Sequence, residues 1–397
     1  MVLSNNDGCV VARSREAKAL GIKMGVPVHH IQNEIRRYGI QVFSSNYTLY
    51  GDMSRRVMTT LETLAPRVDV YSIDEAFLDL TGMGRIVEWE VYGRKVRETV
   101  HHNIGLPVCV GIAPTRTLAK LANYAAKKYP ATGGVVDLTD PARQRRLMVR
   151  VPVDEVWGVG RKLSAKLQDM GIDSALKLAD TDLATLRKRF SVVLERTARE
   201  LNGIACLPWD EVPAPKKQIM CSRSFGQPIQ ALADLEEAVA HYASRVAEKL
   251  RAGEQYAGEL MIFIRTNPFK ADAPQYSRSA SIRFIQATRD SRTIAKEALT
   301  LLRTLYREGF DYAKAGVMLG DLVDDSGLQS DLFEASESAH SKEERSERLM
   351  AVMDSINRKS RATLCMAREA GPGSYAMRRE HLSPAYTTDW SQLPSVD

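Results

Sequence analysis

Two adjacent carboxylates, Asp74 and Glu75, lie between the strand-like stretches Val68-Asp69-Val70-Tyr71-Ser72-Ile73 and Ala76-Phe77-Leu78-Asp79-Leu80. Successive side chains on a strand point to opposite faces, so the pair acts jointly only at a turn or bulge. The flanking patterns predict a hairpin with both carboxylates at its tip. There they offer hard oxygen donors to Mg2+, which takes few protein ligands and completes its shell with water and substrate phosphates. The chemistry this supports is two-metal phosphoryl or nucleotidyl transfer. On turn statistics alone, two solvated turn residues are the commoner explanation.

A second pattern is Val156-Trp157-Gly158-Val159-Gly160-Arg161-Lys162-Leu163, continued by Ala165-Lys166-Leu167 and Gly171-Ile172. Glycines in a tight turn before a helix let the backbone approach a phosphate, and the free N–H groups of that helix N-terminus bind it. The pattern looks like a helix-hairpin-helix, which grips the DNA backbone through Gly158, Gly160, Arg161 and Lys162 without reading bases. An ordinary glycine turn between packed helices is the plainer alternative. Further cations, Arg15 and Lys18 on a first helix and Lys120, Lys127 and Lys128 on a later one, suit a nucleotide triphosphate, although most such side chains are simply exposed. Gln329-Ser330-Asp331-Leu332-Phe333 sets two large apolar residues in an acidic stretch, an anchor pair suited to a groove on a partner.

These residues need several scaffolds. A chain of 397 residues exceeds one compact core and predicts two to four domains. Hydrophobic content of 44% and charged content of 26% are ordinary globular values, leaving only the ends and one acidic stretch loose. The net charge of +6 permits a polyanionic partner, and its distribution is more telling: Ala113 to Lys217 holds 19 Lys and Arg against 12 Asp and Glu. Five scattered cysteines without a C-x-x-C pair argue against disulfides and zinc. No long apolar run or basic-then-apolar leader is present, so the expected location is cytoplasmic with no membrane partner.

Strands around an Asn-Asn-Asp-Gly turn open the chain, with Ser14 capping a helix that Gly21 ends. Helices are expected over about 48–64, 87–103 and 115–128, with a buried strand at 107–112 between the last two. The chain turns all-helical from Val151 to about Gly203 and returns to mixed α and β from Ser222 to about Asp321. Between Lys314 and Lys342 no basic residue occurs, so that segment is expected to be extended and solvated. One helix near 343–359 and an irregular aromatic tail follow.

Ser72-Ile73-Asp74-Glu75-Ala76-Phe77-Leu78-Asp79 resembles the S-I-D-E-A-[FY]-x-D palm signature of Y-family DNA polymerases. The resemblance makes Asp74 and Glu75 metal ligands, with Glu75 the catalytic companion, and Mg2+ the cofactor. Ser4 to Val10 and Glu16 to Gly21 are similar to the finger segment of the UmuC branch, which puts Lys18, with Arg15 nearby, toward the incoming triphosphate. Lys127, in Ala119 to Lys127, matches the palm lysine with the same task. Gln329, Leu332 and Phe333 fit the Q-x-[SD]-L-F motif that docks on the sliding clamp, and Leu382 to Thr388 resembles a tail peculiar to UmuC-like subunits.

The implied fold class is α+β multidomain: a right hand with a ferredoxin-like palm, small fingers, a helical helix-hairpin-helix thumb and an α/β little finger. The expected boundaries are fingers 1–45, palm 46–150, thumb 151–207, linker 208–221, little finger 222–321, acidic linker with clamp motif 322–341 and tail 342–397. The implied function is error-prone translesion synthesis from dNTP on primer-template DNA in the SOS response, with a processed UmuD-like dimer and a RecA filament as partners. Family members begin with a strand carrying D-x-N-x-[FY]-[FY], the source of the first metal aspartate, and Met1 lies after it. The expectation is therefore an incomplete N-terminus, an apolar slot flanked by unpaired strand edges in the palm, and loss of catalysis in the chain as it stands. A catalytically silent protein that binds DNA, clamp or RecA is the alternative, and a helix-hairpin-helix nuclease a weaker one.

Overall fold

The structure is a computed structural model that describes residues 1–393 apart from 84–86, 210–214, 271, 325–336, 360–363, 372 and 374. The chain divides into two compact units, one of Met1–Ser45 with Ala214–Ser383, the other of Asn46–Pro213 with Pro384–Asp397.

In the first unit, β1 (Val2–Leu3) pairs antiparallel with β2 (Val10–Ala12) and parallel with β3 (Phe43–Ser44), and α1 (Arg15–Ala19) and α2 (Gln32–Tyr38) lie between β2 and β3. The turn joining β1 to β2 runs through Asn6 and Asp7 at φ 59° and 50°, a left-handed conformation that short polar side chains tolerate best. Ser14 caps α1 by accepting from the Ala17 N–H.

The second unit begins with α3 (Tyr47–Glu62), capped by Asn46, then the hairpin β4 (Arg67–Ser72) and β5 (Glu75–Asp79), α4 (Trp89–Ile104), β6 (Val110–Ile112), α5 (Arg116–Lys128) and β7 (Val135–Asp137). β4 pairs antiparallel with β5, and β6 pairs parallel with β7, giving two separate two-stranded sheets among the described residues. One apolar cluster joins Met58 and Leu61 of α3 to Tyr92, Val96 and Val100 of α4, with Ala76, Leu78 and Val110 against it. Five helices follow: α6 (Pro141–Met148), α7 (Arg161–Asp169), α8 (Ala175–Asp180), α9 (Leu183–Arg189) and α10 (Val192–Leu201). Their apolar faces share a core with α5, including Leu118, Leu121, Leu167, Leu178 and Leu194.

The remainder of the first unit is an antiparallel sheet in the order β10-β9-β11-β8, from β8 (Ile219–Ile229), β9 (Tyr256–Thr266), β10 (Ser277–Thr288) and β11 (Tyr312–Val323). The helices α11 (Leu232–Ala252) and α12 (Ser291–Leu305) cover one face, burying Leu235, Val239, Val246 and Leu250 against Leu260, Ile262 and Val317. Each large apolar side chain so buried stabilises by roughly 1.5–3 kcal/mol. A last helix, α13 (Glu337–Lys359), is tied on by ion pairs from Arg251 to Asp354 at 2.7 Å and from Arg289 to Glu347.

Two expectations are corrected. The segment after Lys314 is not all extended and solvated: as far as Val323 it is part of β11, a central strand, because Ala315, Val317 and Leu319 alternate into the core. Nor are the described parts of the ends loose. The Met1 ammonium donates to the Gln41 carbonyl at 2.7 Å. The tail is held in turn: the Glu380 and Arg378 N–H groups donate to Asp7 and Asn6, and the Ser44 N–H donates to the His381 carbonyl. Irregular backbone is ordered here by side-chain acceptors in place of a ladder.

Candidate active site

β4 and β5 meet in a two-residue turn, Ile73-Asp74, with Ser72 opposite Glu75, so both carboxylates stand at the hairpin tip. The Ser72 hydroxyl donates to Asp74 Oδ1 at 2.7 Å and accepts from the Asp74 N–H at 3.3 Å, which fixes the turn. Asp74 is exposed, while Glu75 lies part-buried against α5. Lys120 Nζ donates to Glu75 Oε1 at 2.6 Å, and one helical turn earlier Arg116 binds Asp69 Oδ2, also at 2.6 Å. Arg116 and Lys120 share a face of α5 because residues four apart do so.

An aromatic group holds these cations. Lys120 Nζ lies 5.4 Å from the Tyr71 ring centre and 5.9 Å from that of Trp157, and Arg116 packs over Phe77 and Trp209. Trp157 Nε1 donates to the Tyr71 hydroxyl at 3.2 Å, so the glycine turn before α7 is attached to the hairpin. Gly111 sets the height of α5 over β6: a Cβ there would come within 2.3 Å of the Asn123 backbone nitrogen and 2.4 Å of the Ala119 oxygen. Only glycine admits so close an approach.

Glu200 of α10 locks the start of α5. Its carboxylate is 1% exposed and accepts from the Thr117 N–H and hydroxyl and from the Cys206 and Leu207 N–H groups. Glu200→Ala leaves those buried donors unpaired and is expected to lower unfolding stability by on the order of 3 kcal/mol in urea titrations, with Glu200→Gln costing less.

Between β5 and β6 lies a groove of about 480 Å3, lined by Asp74, Glu75 and Lys120 at one part and by apolar side chains such as Met58, Val96 and Val110. Among the described residues nothing pairs with the second edge of β5 or of β6. No group of three or more His, Cys, Asp or Glu is placed to hold a metal among them. Asp74 and Glu75 therefore form a two-carboxylate set, which suits Mg2+ when water and substrate phosphates complete its shell.

Protein UmuC of Salmonella typhimurium is 48% identical to this chain over 398 aligned residues, spanning 100% of the chain and 93% of that protein. The chain belongs to the impB/mucB/samB family, the UmuC type of Y-family DNA polymerases. Protein MucB of Escherichia coli is likewise 48% identical, over 99% of the chain and 92% of that protein, and DNA polymerase IV of Clostridium acetobutylicum is 26% identical over 89% and 84%. The impB/mucB/samB family model matches residues 1–124, its HHH motif 141–172 and its C-terminal domain 216–332, and a domain of unknown function matches 347–396. A Y-family DNA polymerase chimera, Dbh-Dpo4-Dbh, shares the fold with a TM-score of 0.62 at 21% identity, covering 80% of this chain and 88% of that one. The palm, thumb and little-finger architecture is thus the architecture of this UmuC-type chain.

The other expected residues lie on further elements. Gly158, at φ +88°, turns the chain, and Gly160 begins α7 with no capping side chain, leaving the N–H groups beside exposed Arg161 and Lys162 open. Lys127 is exposed in the last turn of α5, seven residues and so roughly 10 Å along the helix from Lys120. Lys18 and Arg15 are exposed on α1 of the other unit. Gln329, Leu332 and Phe333 lie outside the described residues. Of the side chains at the hairpin, Arg116 and Tyr71 were not among the candidates read from the sequence, and Trp157 was read only as part of the glycine turn. The i, i+4 spacing of Arg116 and Lys120 next to a predicted strand was the available signal.

Proposed function

We propose, against the expectation from the sequence that catalysis is lost, that this chain extends primers across damaged template DNA by nucleotidyl transfer from dNTP, with Asp74 and Glu75 holding Mg2+. The observation that carries the reading is the pair of carboxylates at an open hairpin tip, facing a groove and backed by Lys120 and Arg116. Bound Mg2+ would neutralise the triphosphate, lower the pKa of the primer hydroxyl and stabilise the leaving pyrophosphate. The protein's own part is placement. Ser72 fixes Asp74, Lys120 fixes Glu75 and keeps a positive charge beside it, and Arg116 braces the hairpin through Asp69. Lys127, Lys18 and Arg15 serve the triphosphate in this reading, as the family resemblance assigns them.

DNA is held through backbone contacts. The turn at Gly158 and Gly160 with Arg161 and Lys162 takes a phosphate, and the open face of the β10-β9-β11-β8 sheet adds Arg265 and Lys314 beside small serines such as Ser279 and Ser281. Burial, together with Arg265 and Arg223, lowers the Lys314 ammonium from its usual range, and a phosphate would restore it. Arg161→Ala and Lys162→Ala are each expected to weaken DNA binding about equally for all sequences and to reduce the salt slope by about one. Fluorescence anisotropy across a salt series reads this.

The SOS role, the sliding clamp reached through Gln329, Leu332 and Phe333, a processed UmuD-like dimer and RecA belong to the same proposal, as does action in the cytoplasm. Among the described residues no helix is long and apolar enough to cross a membrane. Primer extension with Mg2+ on undamaged and abasic templates tests the reading: extension past the lesion supports it, and DNA binding without any synthesis contradicts it.

A further inference from the structure

A second constellation lies on the helix side of the β8 edge, in the unit that contains the β10-β9-β11-β8 sheet. Strand alternation sends Ile219, Cys221, Arg223 and Phe225 toward α11. Three of these are buried, whereas Arg223 is exposed at the edge because β8 is the last strand of the sheet. On α11, His241, Arg245 and Lys249 recur at four-residue spacing and form one stripe facing the same edge. The tail closes the third side, where the Gly226 N–H donates to the Ala376 carbonyl at 3.1 Å and Tyr375 packs on His241. These residues, with Tyr242, enclose a pocket of about 180 Å3.

Tyr242 is the decisive side chain. It is 1% exposed, and its hydroxyl has no hydrogen-bond partner among the described residues. The groups that act on that hydroxyl electrostatically are Cys221, Arg223 and Tyr375, all of which line the pocket. Burial raises the phenol well above its usual range and keeps it a neutral donor. A buried hydroxyl left unpaired destabilises a fold, so a donor kept there calls for an acceptor.

The cations define that acceptor. Arg245 is engaged by Glu248, and His241 faces Glu369 at 3.4 Å. Arg223 and Lys249 have no carboxylate partner among the described residues, and no Asp or Glu lines the pocket. An O–H donor, a guanidinium and an ammonium around one small space form a donor set for an oxyanion. The volume is below the roughly 300 Å3 at which sites for whole small molecules begin, so it admits a phosphate group and excludes a base and sugar.

We propose that the pocket between β8, α11 and the tail binds a phosphate group, held by the Tyr242 hydroxyl, Arg223 and Lys249. The phosphate belongs either to a free anion such as pyrophosphate or to a nucleic-acid backbone passing the sheet edge. Binding joins the tail to the sheet edge, since Tyr375 and Ala376 form one wall.

The test is binding of inorganic phosphate and of pyrophosphate to the full chain, followed by 31P NMR, with oligothymidylate as competitor. Lys249→Ala and Tyr242→Phe are each expected to weaken anion binding by about tenfold, while Lys296→Ala, at an exposed position of α12 outside the pocket, leaves it unchanged. Tyr242→Phe keeps the ring and removes only the unpaired hydroxyl, so its thermal midpoint without phosphate should not fall, which separates lost binding from lost folding. Displacement of phosphate by the oligonucleotide assigns the site to a DNA backbone, and absence of displacement assigns it to the free anion. Anion affinity that is undetectable in the parent chain, or equal in Lys249→Ala, Tyr242→Phe and the parent, overturns the proposal.

Discussion

Glu75→Gln is expected to reduce primer extension by the protein on the order of 10³-fold, and Asp74→Asn by a similar factor. A metal ion supplies several kcal/mol of transition-state charge stabilisation, and each 1.36 kcal/mol is about a factor of ten in rate. Both substitutions keep side-chain shape while removing the anionic oxygen that a hard cation requires. Asp74 is exposed and Glu75 only part-buried, so folding should survive in both variants. Lys120→Ala is expected to act more mildly, because that ammonium orients Glu75 and does not replace it. Single-turnover extension, with DNA affinity measured in parallel, distinguishes the cases. Unchanged rates in both carboxylate variants would remove the hairpin tip from the chemistry.

The second large effect concerns Gly111. Gly111→Ala inserts a methyl group against the backbone of α5, 2.3 Å from Asn123 N and 2.9 Å from Ala122 C, where no side chain can rotate away. The helix must move, at a cost of about 3 kcal/mol, toward the upper end for overpacked cores. Arg116 and Lys120 move with it, so synthesis should fall as well as stability. Gly51→Ala provides the opposite sign. Gly51 is a helical residue of α3 with nothing within 4 Å of an added Cβ, and alanine there should raise stability by about 0.5–1 kcal/mol. Urea titration of both variants reads the contrast. Equal stability of Gly111→Ala and the parent chain would show that α5 does not rest on β6 through this glycine.

The hairpin tip was legible because alternating apolar residues on both sides leave Ile73 and Asp74 as the only place for the chain to reverse. What places the cations was harder to read. Lys120 and Lys127 lie on one amphipathic helix, and spacing alone does not tell which turn faces a hairpin some fifty residues earlier. That depends on the seating of α5 on β6 at Gly111 and on the anchoring of its first turn by Glu200, both long-range contacts. β11 was obscured by its acidic C-terminal neighbours, although Ala315, Val317 and Leu319 alternate cleanly. The tail was unreadable as structure because it follows no period. Its order comes from acceptors at Asn6, Asp7 and Glu237 that are distant in sequence.

The proposed synthesis depends on Asp74 and Glu75 gathering a divalent cation beside bound substrate. Mn2+ binding followed by electron paramagnetic resonance, in the presence of primer-template DNA and a non-hydrolysable dNTP, measures this directly. The expected result is substrate-dependent Mn2+ binding that is lost in Asp74→Asn and Glu75→Gln. Mn2+ binding of equal strength in the parent chain and both variants would contradict it.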